Sequence, residues 1–160
     1  MQTAIMPGTY DPITLGHLDV IKRTAQIFDS VIVGVAASPK KGSGPLFTLE
    51  ERVAFVEDAV GHLGNVSVSS FSQMLVDYAV EVGAQTIVKG LRAVTDFESE
   101  FQQAALNYRL NPWLETIFIM ATPENMYLSS SVVREVAGLH GNIHAWVTPM
   151  VEKALQERFS

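Results

Sequence analysis

The chain has 160 residues, 48% of them hydrophobic, with 17 acidic against 11 basic side chains and a formal charge of −6. That length suits one domain, residues 1–160, with a real core, and the acidic balance argues against general nucleic-acid binding. The lack of cysteine excludes a disulfide scaffold, a thiol nucleophile and thiolate metal sites.

Met-Gln-Thr-Ala-Ile-Met-Pro at the start lacks the basic opening and apolar core of a signal peptide. No apolar run nears the roughly 20 residues that span a bilayer, so a soluble, cytoplasmic protein with no membrane contact is expected. The first apolar run, Thr3 to Met6, reads as a strand. Leu18, Ile21, Ala25 and Phe28 then recur at helical spacing. Val31 to Ala36 is apolar at every position, as befits a strand of a parallel sheet buried on both faces. Ser38 to Pro45 is polar, basic and glycine-containing, hence a loop. Thr48-Leu49-Glu50-Glu51 has the form of a capping box and opens a helix running through Val53, Val56, Ala59 and Val60. Val66–Val68 reads as a strand, Met74–Val82 as a helix stopped by Gly83, and Thr86–Val88 as a strand. Phe97, Phe101, Ala104, Ala105 and Tyr108 trace the longest helix, closed by Asn111-Pro112. Thr116–Met120 is the fifth strand. Ser129 to Ser131 can cap a helix through Val132 and Val136, and Thr148-Pro149 opens the last one. Strands alternating with helices predict an α/β domain: a Rossmann-like, doubly wound sheet of five parallel strands with helices on both faces.

Met6 to His17 (Met-Pro-Gly-Thr-Tyr-Asp-Pro-Ile-Thr-Leu-Gly-His) is dense in Pro and Gly, which respectively fix and free the backbone. It reads as a shaped loop between the first strand and the first helix, with Thr14 and Asp11 able to cap. Gly16 allows close approach, and helix-start N–H groups are available to a phosphate. Taken alone, those residues suit an ordinary connection equally well. The topology adds an independent observation, because ligands of open parallel sheets bind beyond the carboxyl ends of the strands. Lys40, Lys41, Lys89, Arg92 and Arg134 all fall there, with few acidic residues among them, which favours a phosphorylated ligand.

Two common phosphate fingerprints are missing: Gly-x-Gly-x-x-Gly after the first strand, and Gly-x-x-x-x-Gly-Lys-Ser/Thr. There is no Gly-x-Ser-x-Gly elbow and no His-Glu-x-x-His zinc helix. His62, His140 and His144 read as solvated, and the four histidines show no metal-ligand spacing.

Thr14-Leu15-Gly16-His17 resembles the Thr/His-x-Gly-His signature of the nucleotidylyltransferase superfamily. Leu128-Ser129-Ser130-Ser131-Val132-Val133-Arg134 resembles its second signature, in the expected order. Pro7-Gly8-Thr9-Tyr10-Asp11-Pro12, Phe47 to Arg52, Lys89-Gly90-Leu91-Arg92 and Asp96-Phe97-Glu98 look like bacterial phosphopantetheine adenylyltransferases across nearly the whole chain. The resemblance implies transfer of the adenylyl group of ATP to 4′-phosphopantetheine, giving dephospho-coenzyme A and pyrophosphate, with Mg²⁺ as cofactor in a homohexamer. It implies direct in-line attack without a covalent enzyme intermediate, His17 donating to the α-phosphate. Thr9, Lys41, Leu75 and Lys89 are carried over to the phosphopantetheine side. Thr9, Tyr10, His17, Gly90, Leu91, Arg92, Glu100, Asn125, Met126, Tyr127, Leu128, Ser129, Ser130 and Ser131 are carried over to ATP. No metal-ligating residue is assigned. Ser99, Met6 and Tyr10 depart from the family pattern, which commonly has Tyr, Tyr and Phe there, and Gly42-Ser43-Gly44 loosens the lysine loop. The alternatives are another small-molecule nucleotidylyltransferase, a non-catalytic nucleotide-binding module, or a structural oligomerisation domain.

Overall fold

A computed structural model describes residues 1–37, 44–92 and 94–160, with 94–96 described by backbone alone. The strands are β1 (Thr3–Gly8), β2 (Ser30–Ala36), β3 (Val66–Phe71), β4 (Thr86–Leu91) and β5 (Glu115–Met120). They form one parallel sheet in the order β3-β2-β1-β4-β5. The helices are α1 (Leu15–Ala25), α2 (Leu49–Val60), α3 (Leu75–Glu81), α4 (Val94–Leu110), α5 (Ser130–Gly138) and α6 (Pro149–Phe159). The expected doubly wound architecture is therefore present.

Strand alternation sends neighbouring side chains to opposite faces. Ala4, Met6, Val31, Val33, Val35 and Val88 join α1, α2, α5 and α6 in the larger core. Ile5 and Ile87 face the other way, onto Val76, Tyr78 and Ala79 of α3. Gly34 belongs to that second face, since a Cβ there would lie 2.9 Å from the Tyr78 ring, which stacks on Phe71 at 4.6 Å.

Pairing along the strands opens the crevice. β1 matches β2 at six positions, and β4 matches β5 at six. Between β1 and β4 only Ala4↔Thr86 and Ile5↔Ile87 pair. Beyond Ile5 the two central strands part, and Pro7 has no N–H to extend a ladder. The reversal of strand order falls between these two strands, so the gap opens at the switch point.

The strands run further than periodicity indicates. Pro7-Gly8, Ser69 to Phe71 and Lys89-Gly90-Leu91 are strand residues, not loops. Lys89, Gly90 and Leu91 pair with Phe118, Ile119 and Met120. Their polar and glycine content hid a strand end that borders a cavity instead of core. β2 also departs from full two-face burial: Ile32 is only partly buried.

The α4 stripe is not core. Phe97, Phe101 and Tyr108 are exposed at 50%, 60% and 54%, with Phe97 and Phe101 stacked at 5.7 Å. Trp113, Ile117 and Met120 are also exposed, on or beside edge strand β5.

Candidate active site

A cavity of about 780 Å³ opens over the β1–β4 gap. Its floor is the β1–α1 connection, where Asp11-Pro12 is a cis peptide. Thr14 caps α1, and a complete capping box forms with His17 at the third helical position. The His17 N–H donates to Thr14 Oγ1 at 3.3 Å, and the Thr14 N–H donates to His17 Nδ1 at 3.0 Å. An atom that accepts from a backbone N–H carries no proton, so the neutral ring bears its hydrogen on Nε2. Burial, with a smaller contribution from the Arg92 charge, lowers the His17 pKa to about 4. The ring is part-exposed into the cavity but enclosed by protein, and it is neutral at pH 7.

The environment of His17 is built by its neighbours. Tyr10 adopts φ 49°, in the left-handed region, which folds its ring back to 5.1 Å from His17, edge-on. Its hydroxyl donates to the Met6 carbonyl at 3.0 Å, and burial pushes the phenol pKa up. Gly8 makes this fold-back fit, because a Cβ would meet the Tyr10 ring at 2.9 Å. Expectations for the helix start need revision. The Leu15 N–H donates to the Trp146 carbonyl at 2.8 Å, so with His17 two first-turn N–H groups are unavailable to a phosphate.

Asp11 does not cap α1. Its carboxylate accepts from the Leu46 N–H at 2.8 Å and the Phe47 N–H at 3.0 Å, drawing the far end of the β2–α2 loop over the site.

The second signature folds onto the first. Ser129 is the N-cap of α5, accepting from the Val132 N–H at 3.1 Å. Ser130 donates its hydroxyl to the Pro12 carbonyl at 2.7 Å, and Ser131 accepts from Arg134 at 3.3 Å. One serine caps; the others tie α5 to the loop and to its own arginine. Arg134 also donates to the Asp11 carbonyl at 2.6 Å. A Cβ at Gly16 would lie 3.5 Å from each of Asn125 and Leu128.

Lys89, Arg92 and Arg134 line the cavity, but acidic partners are present as well. Lys89 Nζ is 3.0 Å from Glu100 Oε2, and Arg134 is 3.7 Å from the Asp11 carboxylate. Among the described residues no hydrogen bond of good geometry reaches Glu100 Oε2, whose contact with Lys89 is ionic. Arg92 donates to the Leu128 carbonyl at 3.1 Å.

Of the residues carried over, Thr9, Tyr10, His17, Lys89, Gly90, Arg92, Glu100, Asn125, Leu128, Ser130 and Ser131 line this cavity. Leu91, Met126, Tyr127 and Ser129 are neighbours in sequence of lining residues but not in the lining themselves, and Tyr127 is 78% exposed. Leu75 is half-buried against the α3-side core and is not among the lining residues. Ser99 is exposed and outside the lining. Lys40, Lys41, Gly42 and Ser43 lie outside the described residues. Sequence reasoning missed Phe159 of α6 on the cavity wall and Arg52 beneath it. His62, His140 and His144 are exposed, as expected. Among the described residues no group of three His, Cys, Asp or Glu could hold a metal ion, and no helix is long and apolar enough to cross a membrane.

Comparison with known proteins fits this geometry. The family model described as Cytidylyltransferase-like matches residues 5–136. A phosphopantetheine adenylyltransferase of Hahella chejuensis is 49% identical over 160 residues, covering 100% of this chain and 98% of that one. The same-named protein of Rhodospirillum centenum is 48% identical over 98% of this chain and 86% of its own length. The chain belongs to the phosphopantetheine adenylyltransferase family. It is therefore a nucleotidyltransferase. A structure assigned as a nicotinate-nucleotide adenylyltransferase from Vibrio parahaemolyticus superposes with a TM-score of 0.70 at 22% identity, over 99% of this chain and 95% of that one. That likeness shows that the fold is shared. Near the end of β4, Lys89 brings a positive charge into the cavity and pairs there with Glu100 of α4.

Proposed function

We propose that the chain, as one nucleotidylyltransferase domain, transfers the adenylyl group of ATP to 4′-phosphopantetheine by direct in-line attack at the β1–β4 gap. A phosphate oxygen of the acceptor bonds to the α-phosphorus. The bond to the bridging oxygen of the β-phosphate breaks, and pyrophosphate leaves. No side chain is covalently attached, so the protein contributes positioning and charge stabilisation. One observation carries this reading: Thr14 occupies His17 Nδ1, leaving Nε2–H as a preorganised neutral donor in a cavity also lined by Lys89, Arg92 and Arg134.

His17 serves the α-phosphate oxygens as they gain charge. Arg92, Gly90 and the Asn125–Ser131 segment take the nucleotide, and Glu100 accepts from it. Lys89, with Lys41 and Thr9, takes the acceptor phosphate. Asp11 and Glu100 are engaged by Arg134 and Lys89, so these residues suit a metal that arrives on the ATP phosphates better than a resident ion. Mg²⁺ bound there would neutralise phosphate charge. Pyrophosphate release from Mg·ATP, measured with and without 4′-phosphopantetheine, tests the reading. Release is expected only with the acceptor present, and no acceptor-dependent release refutes it.

We also propose a cytoplasmic homo-oligomer, a hexamer by family resemblance, in which a second copy covers the α4–β5 face. Phe97 and Phe101 stack on each other, and Trp113 and Met120 on or beside β5 are also exposed; exposed apolar surface of this kind marks an interface. Phe101→Glu is expected to yield monomers or smaller assemblies by light scattering coupled to size exclusion; an unchanged mass would place the interface elsewhere.

A further inference from the structure

We infer that Arg158, near the end of α6, is a positioning residue for the acceptor side of the cavity, acting through Leu46 and Phe47. The inference rests on the reaction proposed above. Gly44, Pro45 and Leu46 form a wall of the cavity. They follow β2, on the opposite side of the switch point from Arg92, Asn125 and Leu128, which follow β4 and β5. With the nucleotide on the β4–β5 side, this wall faces the acceptor.

A loop wall without regular structure must be held by its backbone groups, and here charged side chains from three elements hold all four backbone groups of Leu46 and Phe47, at the end of the wall. The Leu46 and Phe47 N–H groups donate to the Asp11 carboxylate at 2.8 and 3.0 Å. Arg52 Nε donates to the Phe47 carbonyl at 3.2 Å. Arg158 Nη1 donates to the Leu46 carbonyl at 2.9 Å. Arg158 is fixed for this task by two further contacts. Nη2 reaches Glu51 Oε1 at 3.0 Å, and the guanidinium lies 5.1 Å from the centroid of the Phe47 ring, a cation–π distance. Its neighbour Phe159 lines the same cavity. The end of α6, beyond the 5–136 segment matched by the family model, thus contributes both a wall and the clamp on the wall beside it.

An exposed ion pair alone contributes little to stability, and Arg158 and Glu51 are each about 40% exposed. The Leu46 contact is what gives Arg158 leverage on the site. Val151 and Leu155 keep α6 in the core without it. For Arg158→Ala, loss of a charge-assisted bond to the wall is expected to raise the KM for 4′-phosphopantetheine roughly 5–10-fold, with kcat within about twofold. The KM for ATP should not move. Arg158→Lys, retaining the charge and a donor, should recover most of the loss. A merely structural role would lower the active fraction and apparent kcat and leave KM alone. Should the alanine variant melt below the assay temperature, Arg158→Gln keeps the stem and loses the charge, and is read the same way. An unchanged acceptor KM in the folded variant, or a rise confined to the KM for ATP, overturns the inference. Wild-type protein showing no acceptor-dependent pyrophosphate release would instead sink the parent reaction, before any variant is compared.

Discussion

His17→Ala is expected to lower kcat by roughly 10²–10³-fold, the usual consequence of removing one preorganised donor from a developing oxyanion. In free energy that is about 2.7–4 kcal/mol of transition-state stabilisation. The substitution also removes the acceptor for the Thr14 N–H, an N-terminal capping loss of about 1 kcal/mol, so the fold survives with a lower melting temperature. His17→Gln separates the two effects. Gln is the usual reach-back residue of a capping box, so it restores the cap without placing a ring N–H in the cavity. Stability should return while kcat stays low. Near-normal turnover in the alanine variant would remove His17 from the mechanism.

The pH dependence follows from the burial of the same ring, with the Arg92 charge adding to it. The folded pKa of about 4 lies below the ordinary 6.5, so between these values the unfolded chain binds the proton more readily. The stability from this group is complete above about pH 6.5 and is lost as pH falls toward 4, amounting to no more than about 3 kcal/mol. Turnover of wild type should therefore show no inflection near pH 6.5 from His17. Nitrogen-15 spectra of the free protein should show Nε2–H at neutral pH, with titration of that ring confined below about pH 5.

Much of this site could be read from the chain because its two signatures are local and each does its work within a few residues. Thr14 and His17 are three apart, and both halves of their capping box are backbone-to-side-chain bonds within one turn. The Ser129 cap is equally local. What escaped notice depends on residues far apart in sequence. Asp11 looks like a cap by position, yet its partners lie 35 and 36 residues away. Phe159 enters the cavity only because α6 packs beside α5 and α2. The apolar stripe of α4 has a periodicity that suits a core or an interface equally, and only the fold shows Phe97, Phe101 and Tyr108 exposed. Arg52 had left a signal. It shares a helical face with Phe55, Val56 and Ala59, all buried, and a charged side chain on that face must find partners inside.

Those partners make Arg52→Ala a strongly destabilising change. Arg52 is 1% exposed and donates to three carbonyls: Thr9 at 2.8 Å, Ala36 at 2.9 Å and Phe47 at 3.2 Å. These are the end of the β1 turn, the last residue of β2 and the residue before the α2 cap, so one guanidinium joins three segments that converge at the site. Burial lowers its pKa, opposed by the charges of Asp11 and then Glu50. Removing it leaves three carbonyl acceptors without their donor, one buried and two part-buried, and takes a positive charge from near Asp11, at a cost of about 3–5 kcal/mol. A typical domain has only about 5–15 kcal/mol of total stability. Urea unfolding at fixed protein concentration, which holds any oligomer contribution constant, should show a lower midpoint with little change in slope. Arg52→Met refills the volume but supplies no donor. It should recover only the packing share, whereas Arg52→Lys, with one cation and a shorter reach, should fall between Met and wild type. A loss below about 1 kcal/mol in Arg52→Ala would mean that water satisfies those carbonyls. The three segments would then be held by apolar contacts, with Thr9 placed over the cavity by the strand end alone.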